Sequence, residues 1–159
     1  MNQLRNVTES DAPVLRALAQ RCKPLDVHTP YTYWVLCKFF SGGSFLMLGE
    51  NNAPVGYITS IETENTIFVW QIGILREYRG KGYSQALVQA VSEYAVSREK
   101  NMSVSVADDN QASYHAFDRF CRRHSYSLRK SGKLSLTDLN DKAFSENESI
   151  YDIIIREEW

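Results

Sequence analysis

The sequence predicts a mixed α/β fold with α+β character: one domain over residues 1–159, a mostly antiparallel central sheet of about six to seven strands, and about four flanking helices. Three observations predict it. Two strand-like runs, "SFLMLGE" and "APVGYITSIE", meet across the turn "ENNAP" and so read as a hairpin. The run "NTIFVWQIGIL" is almost wholly apolar, as a strand covered on both faces must be. Segments of helical period then alternate with strands, which calls for crossovers rather than hairpins alone.

The elements follow in order. "LRNVT" predicts a short first strand. "TESDAPVLRALAQRC" predicts a helix, with Thr8 or Ser10 as cap and Asp11 near its positive end. Val14, Leu15, Leu18 and Ala19 fall at helical spacing. "KPLDVHTP" leaves that helix, because Pro24 and Pro30 disfavour continuation. "YTYWVLCKFF" is a second, apolar helix, ended by Ser41-Gly42-Gly43. After the hairpin and the apolar strand, a helix runs from about Gly82 to Arg98. "NMSVSVAD" alternates as a strand, and "NQASYHAFDRFCRRH" carries Ala112, Ala116, Phe117 and Phe120 on one side of a helix. "SYSLRK" is a candidate strand, "LTDLNDKAF" is left open, and "SIYDIIIREE" is the final strand.

Composition narrows the function classes. The chain is 43% hydrophobic and 23% charged, with a net charge of -1. That balance suits a globular protein with no general attraction to nucleic acid. No apolar run is long enough to span a membrane, and "MNQLRNVTESD" has no signal-peptide core, so a cytoplasmic location is expected. Cys22, Cys37 and Cys121 are widely spaced and lack metal-ligand spacing; they read as reduced, buried thiols, and no metal site is expected. His28, His115 and His124 show no ligand spacing either; His115 and His124 read as surface residues, and His28 is a candidate contact in the loop before the second helix. The basic segment from Arg119 to Lys133 reads as a solvated face, with a ribose phosphate as its alternative partner.

The chemistry concentrates in "FVWQIGILREYRGKGYSQALVQAV", where a strand enters a helix through Arg79-Gly80-Lys81-Gly82. A helix start offers unpaired N–H groups and the positive end of its dipole. The two glycines allow unusual dihedrals and close approach, and Arg79 and Lys81 add charge. Together they make a pyrophosphate cradle. An ordinary strand–turn–helix with solvated charges is the competing reading. A Walker loop is excluded because Gly82 follows Lys81, and a dinucleotide fingerprint because Gln85 stands at the third glycine.

"RGKGYS" resembles the Arg/Gln-x-x-Gly-x-Gly/Ala loop of the GNAT superfamily of N-acetyltransferases, with Ser84 replacing the usual small residue. The resemblance implies acetyl-CoA as cosubstrate. Backbone N–H groups of Arg79, Gly80, Lys81, Gly82, Tyr83 and Ser84 would then hold its pyrophosphate. It implies that the strand at Ile72, Gly73 and Ile74 splays from its neighbour, so that main-chain groups meet pantetheine and the acetyl carbonyl. In "DDNQASYHAF" it makes Asn110 a second cofactor contact. Phe117 stands near the leaving sulfur, where many members carry a tyrosine.

A narrower resemblance covers about Pro24 to Phe120. "PLDVHTPYTYWVLCKFF", "FVWQIGI" and "DNQASYHAF" are similar to the L-2,4-diaminobutyrate acetyltransferases of ectoine biosynthesis. It implies an acceptor pocket with Asp26 as ammonium ligand, Tyr31 and Trp70 as walls, and Glu148 as a further acid, in a homodimer. Each has a plainer reading: a loop aspartate for Asp26, packing for Tyr33, a core indole for Trp70, a solvated face for Glu146 and Glu148. Ser145 stands where that group often has histidine, which leaves the acceptor open to another diamino acid, a polyamine or an antibiotic amine. A CoA-binding regulatory module without turnover is the reading from another class, and Phe117 is its one support.

The implied reaction is attack of a primary amine on a thioester. Such an amine, with a pKa of ~10.4, must lose a proton first. Glu148, Asp26 or an ordered water can take it. Fixed main-chain donors near Ile72 would stabilise the developing oxyanion. Tyr114 is the candidate general acid, with core packing as its alternative; a thiol of pKa about 8.5 can also leave with help from water alone.

Overall fold

The computed structural model describes residues 3–23, 25–135 and 147–159. Pro24, Ser145, Glu146 and the segment "LTDLNDKAF" lie outside the described residues. The strands are β1 (Gln3–Asn6), β2 (Phe45–Leu48), β3 (Pro54–Glu62), β4 (Thr66–Ile74), β5 (Asn101–Ala107), β6 (Ser127–Ser135) and β7 (Asn147–Ile154). The helices are α1 (Ala12–Arg21), α2 (Pro30–Phe39), α3 (Tyr83–Ser97) and α4 (Gln111–His124). The seven strands form one sheet in the order β1-β2-β3-β4-β5-β7-β6, with β4 in the middle as its apolar run requires. Only β4 and β5 are parallel, joined through α3; the other neighbours are antiparallel.

Local chemistry explains the element ends. A short 3₁₀ turn, Glu9–Asp11, precedes α1, so the first helix starts later than its pattern predicts. Asp11 is the reason. Its carboxylate accepts the Thr8 N–H at 2.7 Å and both terminal nitrogens of Arg5 at 2.7 and 3.0 Å. The Arg5 guanidinium holds that carboxyl below the usual carboxylate range. Thr29 caps α2 by accepting the Thr32 N–H, and Pro30 occupies the first helical position, where a missing N–H costs nothing.

Two cores lie on opposite faces of the sheet. On one face, Leu15, Leu18 and Ala19 of α1 and Tyr33, Leu36 and Cys37 of α2 pack on Leu46 and Tyr57. On the other, Leu87, Val88 and Val91 of α3 and Phe117, Phe120 and Cys121 of α4 pack on Ile58, Ile67, Val69 and Val104. The α4 stripe differs from its predicted one, since Ala112 is exposed and Cys121 is buried. The large phenyl rings, rather than the methyl groups, decide which face turns inward. All three cysteines are buried free thiols; burial pushes Cys37 up to about 12 and Cys121 up to about 11. No helix among the described residues is long and apolar enough to cross a membrane.

The C-terminal end of α3 is tied to β3 through Glu62. Its carboxylate accepts from Lys100 Nζ at 2.8 Å, Arg98 Nε at 2.9 Å and the Tyr94 hydroxyl at 2.7 Å. Lys100 above all holds this carboxyl down at about 2. A depressed carboxylate contributes stability that is complete above its ordinary 4.5 and is lost as pH falls toward 2. Chemical denaturation of wild type and Glu62→Gln should therefore show a stability gap that is constant above pH ~5 and closes as pH falls toward ~2. A gap independent of pH would show that the carboxylate charge plays no part.

Candidate active site

The site begins with a break in the sheet. The β4–β5 ladder pairs Thr66 to Val69 with Asn101 to Val104 and ends there. Beyond it β4 continues along β3, while β5 continues along β7. The two parallel strands therefore part at Trp70, as the splay expected near Ile72 requires. The β3 register jumps at the same place: Ser60 faces Val69 and Thr59 faces Gln71, so Trp70 is the extra residue of a β-bulge.

The bulge resets side-chain alternation. Val69, Ile72 and Ile74 pack toward α3. Trp70 and Gln71, consecutive in sequence, both reach the opposite face and the loop between α1 and α2. The Gln71 side chain is buried, with both ends of its amide bonded. Its Oε1 accepts from the Tyr33 hydroxyl at 3.0 Å and the Tyr57 hydroxyl at 2.6 Å, and its Nε2 donates to the Asp26 carbonyl at 2.7 Å. Burial pushes the Tyr57 phenol far above its ordinary value, so it stays a donor. Trp70 Nε1 donates to His28 Nε2 at 3.1 Å. Gly73 lets the loop come this close, because a Cβ there would lie 2.9 Å from Leu25 Cδ1 and 3.0 Å from the Tyr57 ring.

Main-chain direction follows from the same register. The Leu75 N–H bonds the Val55 carbonyl, and the Gln71 carbonyl meets the Thr59 hydroxyl. Alternation then aims the N–H and C=O of Ile72 and Ile74 into the opening. Arg79 Nε covers the Ile74 carbonyl at 3.0 Å, which folds the Arg79 side chain back onto the strand end. The Ile72 N–H and C=O and the Ile74 N–H face the opening without a strand partner among the described residues.

At the mouth, Gly80 and Gly82 have φ of +76° and +83°, a left-handed conformation that side chains resist. No atom lies within 4 Å of a Cβ built on either, so the space over the loop is open. Gly82 begins α3, and its first turn has neither a side-chain cap nor an acid. The first intrahelical bond near this end is Ala86 N–H to the Gly82 carbonyl, which leaves the amides of Tyr83, Ser84 and Gln85 as the helix's unpaired donors. Lys81 Nζ lies 5.5 Å from the Tyr78 ring centre. Open amides, positive dipole end and added cation fit a pyrophosphate.

The far lip is the C-terminal end of β5. Asn110 caps α4 by accepting the Ser113 N–H at 3.1 Å. It lines a hollow of about 160 Å³ with Val106, Ala107, Asp108, Gln111, Tyr114 and Tyr151. The Tyr114 ring packs 5.4 Å from that of Tyr151. Glu148, on β7, lies opposite Ala107 and is half-buried. Phe117 is in the core, 5% exposed. Asp26 has an exposed side chain on the clamped loop. Tyr31 stands apart: it is 71% exposed and packs on Trp34 at 5.6 Å along the outside of α2. Sequence reasoning left Gln71 without a role and left Tyr33 open between the pocket and packing. A glutamine inside an otherwise apolar central strand was the signal available for both, because a buried amide needs partners.

A sequence profile of the Acetyltransferase (GNAT) family matches residues 12–121. The chain is 29% identical over 125 residues to the L-2,4-diaminobutyric acid acetyltransferase of Streptomyces anulatus, covering 76% of this chain and 71% of that one. It is 27% identical over 148 residues to the enzyme of the same name from Halomonas elongata, covering 91% and 77%. Among solved structures, the fold is similar to the diaminobutyrate acetyltransferase EctA of Paenibacillus lautus, in complex with L-2,4-diaminobutyric acid and coenzyme A. The TM-score is 0.84 at 20% identity, covering 97% of this chain and 95% of that one. The ribosomal-protein-S18-alanine N-acetyltransferase of Escherichia coli has a TM-score of 0.75 at 14% identity, covering 100% and 99%.

Gln71→Leu should strand two buried phenol hydroxyls and release the Asp26 carbonyl. A loss of about 1–3 kcal/mol per stranded hydroxyl is expected in equilibrium unfolding. Amide exchange should speed up in residues 25–29. Wild-type stability in this variant would mean that the two hydroxyls find other partners.

Proposed function

The chain belongs to the acetyltransferase (GNAT) family, an acetyl-CoA-dependent N-acetyltransferase family, and from that premise we propose that it acetylates one amine of a small diamino acid, with the 4-amino group of L-2,4-diaminobutyrate as the preferred acceptor. The observation that carries this reading is the clamp of the Asp26 loop onto the opened stretch of β4. The main-chain carbonyl of exposed Asp26 is bonded to Gln71, on the strand whose neighbouring amides face the opening. The similarity to the L-2,4-diaminobutyric acid acetyltransferases of Streptomyces anulatus and Halomonas elongata supports the same acceptor.

Acetyl-CoA supplies the activated acetyl thioester when bound. The residues of this chain do the rest. Amides from Gly80 to Ser84 grip the pyrophosphate at the start of α3; the Arg79 N–H, expected to join them, is instead bonded to the Arg76 carbonyl at 3.2 Å. The Ile72 N–H is the donor for the carbonyl oxygen as its charge grows, and it needs no reorganisation because β3 already fixes the strand. Asp26 pairs with a substrate ammonium, and the Trp70 indole forms a wall that also attracts a cation. Glu148, on the opposite lip, is the second acid and the candidate base for the amine proton. Tyr114 lines the hollow beside Asn110 and is the candidate donor to the leaving sulfur. Holding both reactants between β4 and β5 removes much of the entropic barrier. Phe117 packs in the core, so it lends no weight to a non-catalytic module.

Thiol release from acetyl-CoA should require an added amine and be fastest with L-2,4-diaminobutyrate. Release with spermidine or an aminoglycoside but not with diaminobutyrate would overturn the acceptor and keep the chemistry. Asp26→Ala and Glu148→Ala should each raise KM for the amine about tenfold or more, the worth of a charge-assisted hydrogen bond, while KM for acetyl-CoA changes little. Equal effects on both substrates would contradict these roles. Gly82→Val should reverse the pattern, damaging the cofactor side first, because valine resists the left-handed conformation at that position.

A further inference from the structure

Trp70 is 41% exposed, yet its indole is not left to choose its own rotamer. The partner that holds it, His28, is itself fixed from two helices. The His28 N–H donates to the Tyr33 hydroxyl of α2 at 3.4 Å, and Arg16 Nε of α1 donates to the His28 carbonyl at 3.1 Å. The ring meets the Trp70 indole edge-on, with centres 5.7 Å apart and planes at 77°, and lies 5.9 Å from the Tyr33 ring. An indole nitrogen is a donor only, so His28 Nε2 must present a lone pair. The imidazole at this contact is therefore neutral, with its proton on Nδ1.

We propose that His28 is a positioning residue of the acceptor pocket, fixing the Trp70 indole beside Asp26 through an imidazole held in the Nδ1–H tautomer. The pattern of Leu25, Asp26, Tyr31 and Tyr33 makes no demand on position 28. Its effect on the amine rests on the acceptor reading above; the tautomer and the indole contact do not.

Two variants separate the acceptor atom from ring bulk. His28→Phe keeps a ring and both backbone bonds but has no lone pair. His28→Gln restores an acceptor near the position of Nε2. In NMR spectra of the full chain, with the Trp70 indole signal assigned by Trp70→Phe, the Nε1–H resonance should shift upfield in His28→Phe and return toward wild type in His28→Gln. Long-range proton–nitrogen correlations should show the His28 ring with its proton on Nδ1. In kinetics, His28→Phe should raise KM for the amine about tenfold, with KM for acetyl-CoA within about twofold, and His28→Gln should recover most of that loss. An indole signal unmoved in His28→Phe, or a proton on Nε2, overturns the contact. A shifted signal with equal changes in both KM values overturns the positioning role. Failure of every amine as substrate sinks the acceptor reading and with it the kinetic role, while the indole and tautomer signals still decide the contact.

Discussion

One extra residue in the middle of β4 organises the active end of the molecule. At Trp70 the strand carries one residue more than its partner β3, and at the same point it leaves β5. A strand of regular alternation would have sent Trp70 and Gln71 to opposite faces. The bulge sends both to the face of α1 and α2, where one grips His28 and the other grips Asp26. The same irregularity frees the edge of β4 toward β5. One local departure from ideal geometry thus clamps the loop between α1 and α2 and opens the edge of β4.

The departure is tolerated because its polar groups are satisfied. Gln71 is buried with two acceptor bonds and one donor bond made, which leaves its amide orientation no choice: only Nε2 can serve the Asp26 carbonyl. A buried amide with partners of this kind costs little, whereas the same amide unpaired would be expensive. Gly73 adds the steric half of the arrangement, since any side chain there would push Leu25 and the Tyr57 ring away. The loop over residues 25–29 is therefore held by the strand as well as by the helices that it joins.

The two halves of the site use different materials. The half proposed for the cofactor is made of backbone: amides at the start of α3, left-handed Gly80 and Gly82, and the open edge at Ile72 and Ile74. Backbone donors are rigid and indifferent to side-chain identity, which suits a cosubstrate shared by a whole family. The half proposed for the acceptor is made of side chains on a clamped loop and on β7.

The sequence by itself determined the order of elements, the central place of β4, the hairpin of β2 and β3, and the glycine-bounded start of α3. These follow from local physics: apolar period, turn-forming residues, and glycine next to a helix start. It also marked Asp26, Trp70 and Glu148, through motifs carried in short stretches. Only the tertiary structure decided the partners of Gln71, the grip of His28 on Trp70, the core position of Phe117 and the outward position of Tyr31. Those depend on where a strand slips register by one residue and on contacts between residues as far apart as 45 positions. A bulge has no local signature here, because "VWQI" fits a regular strand equally well. Its place is set by the neighbours on β3 and β5, which meet β4 only when the sheet has formed.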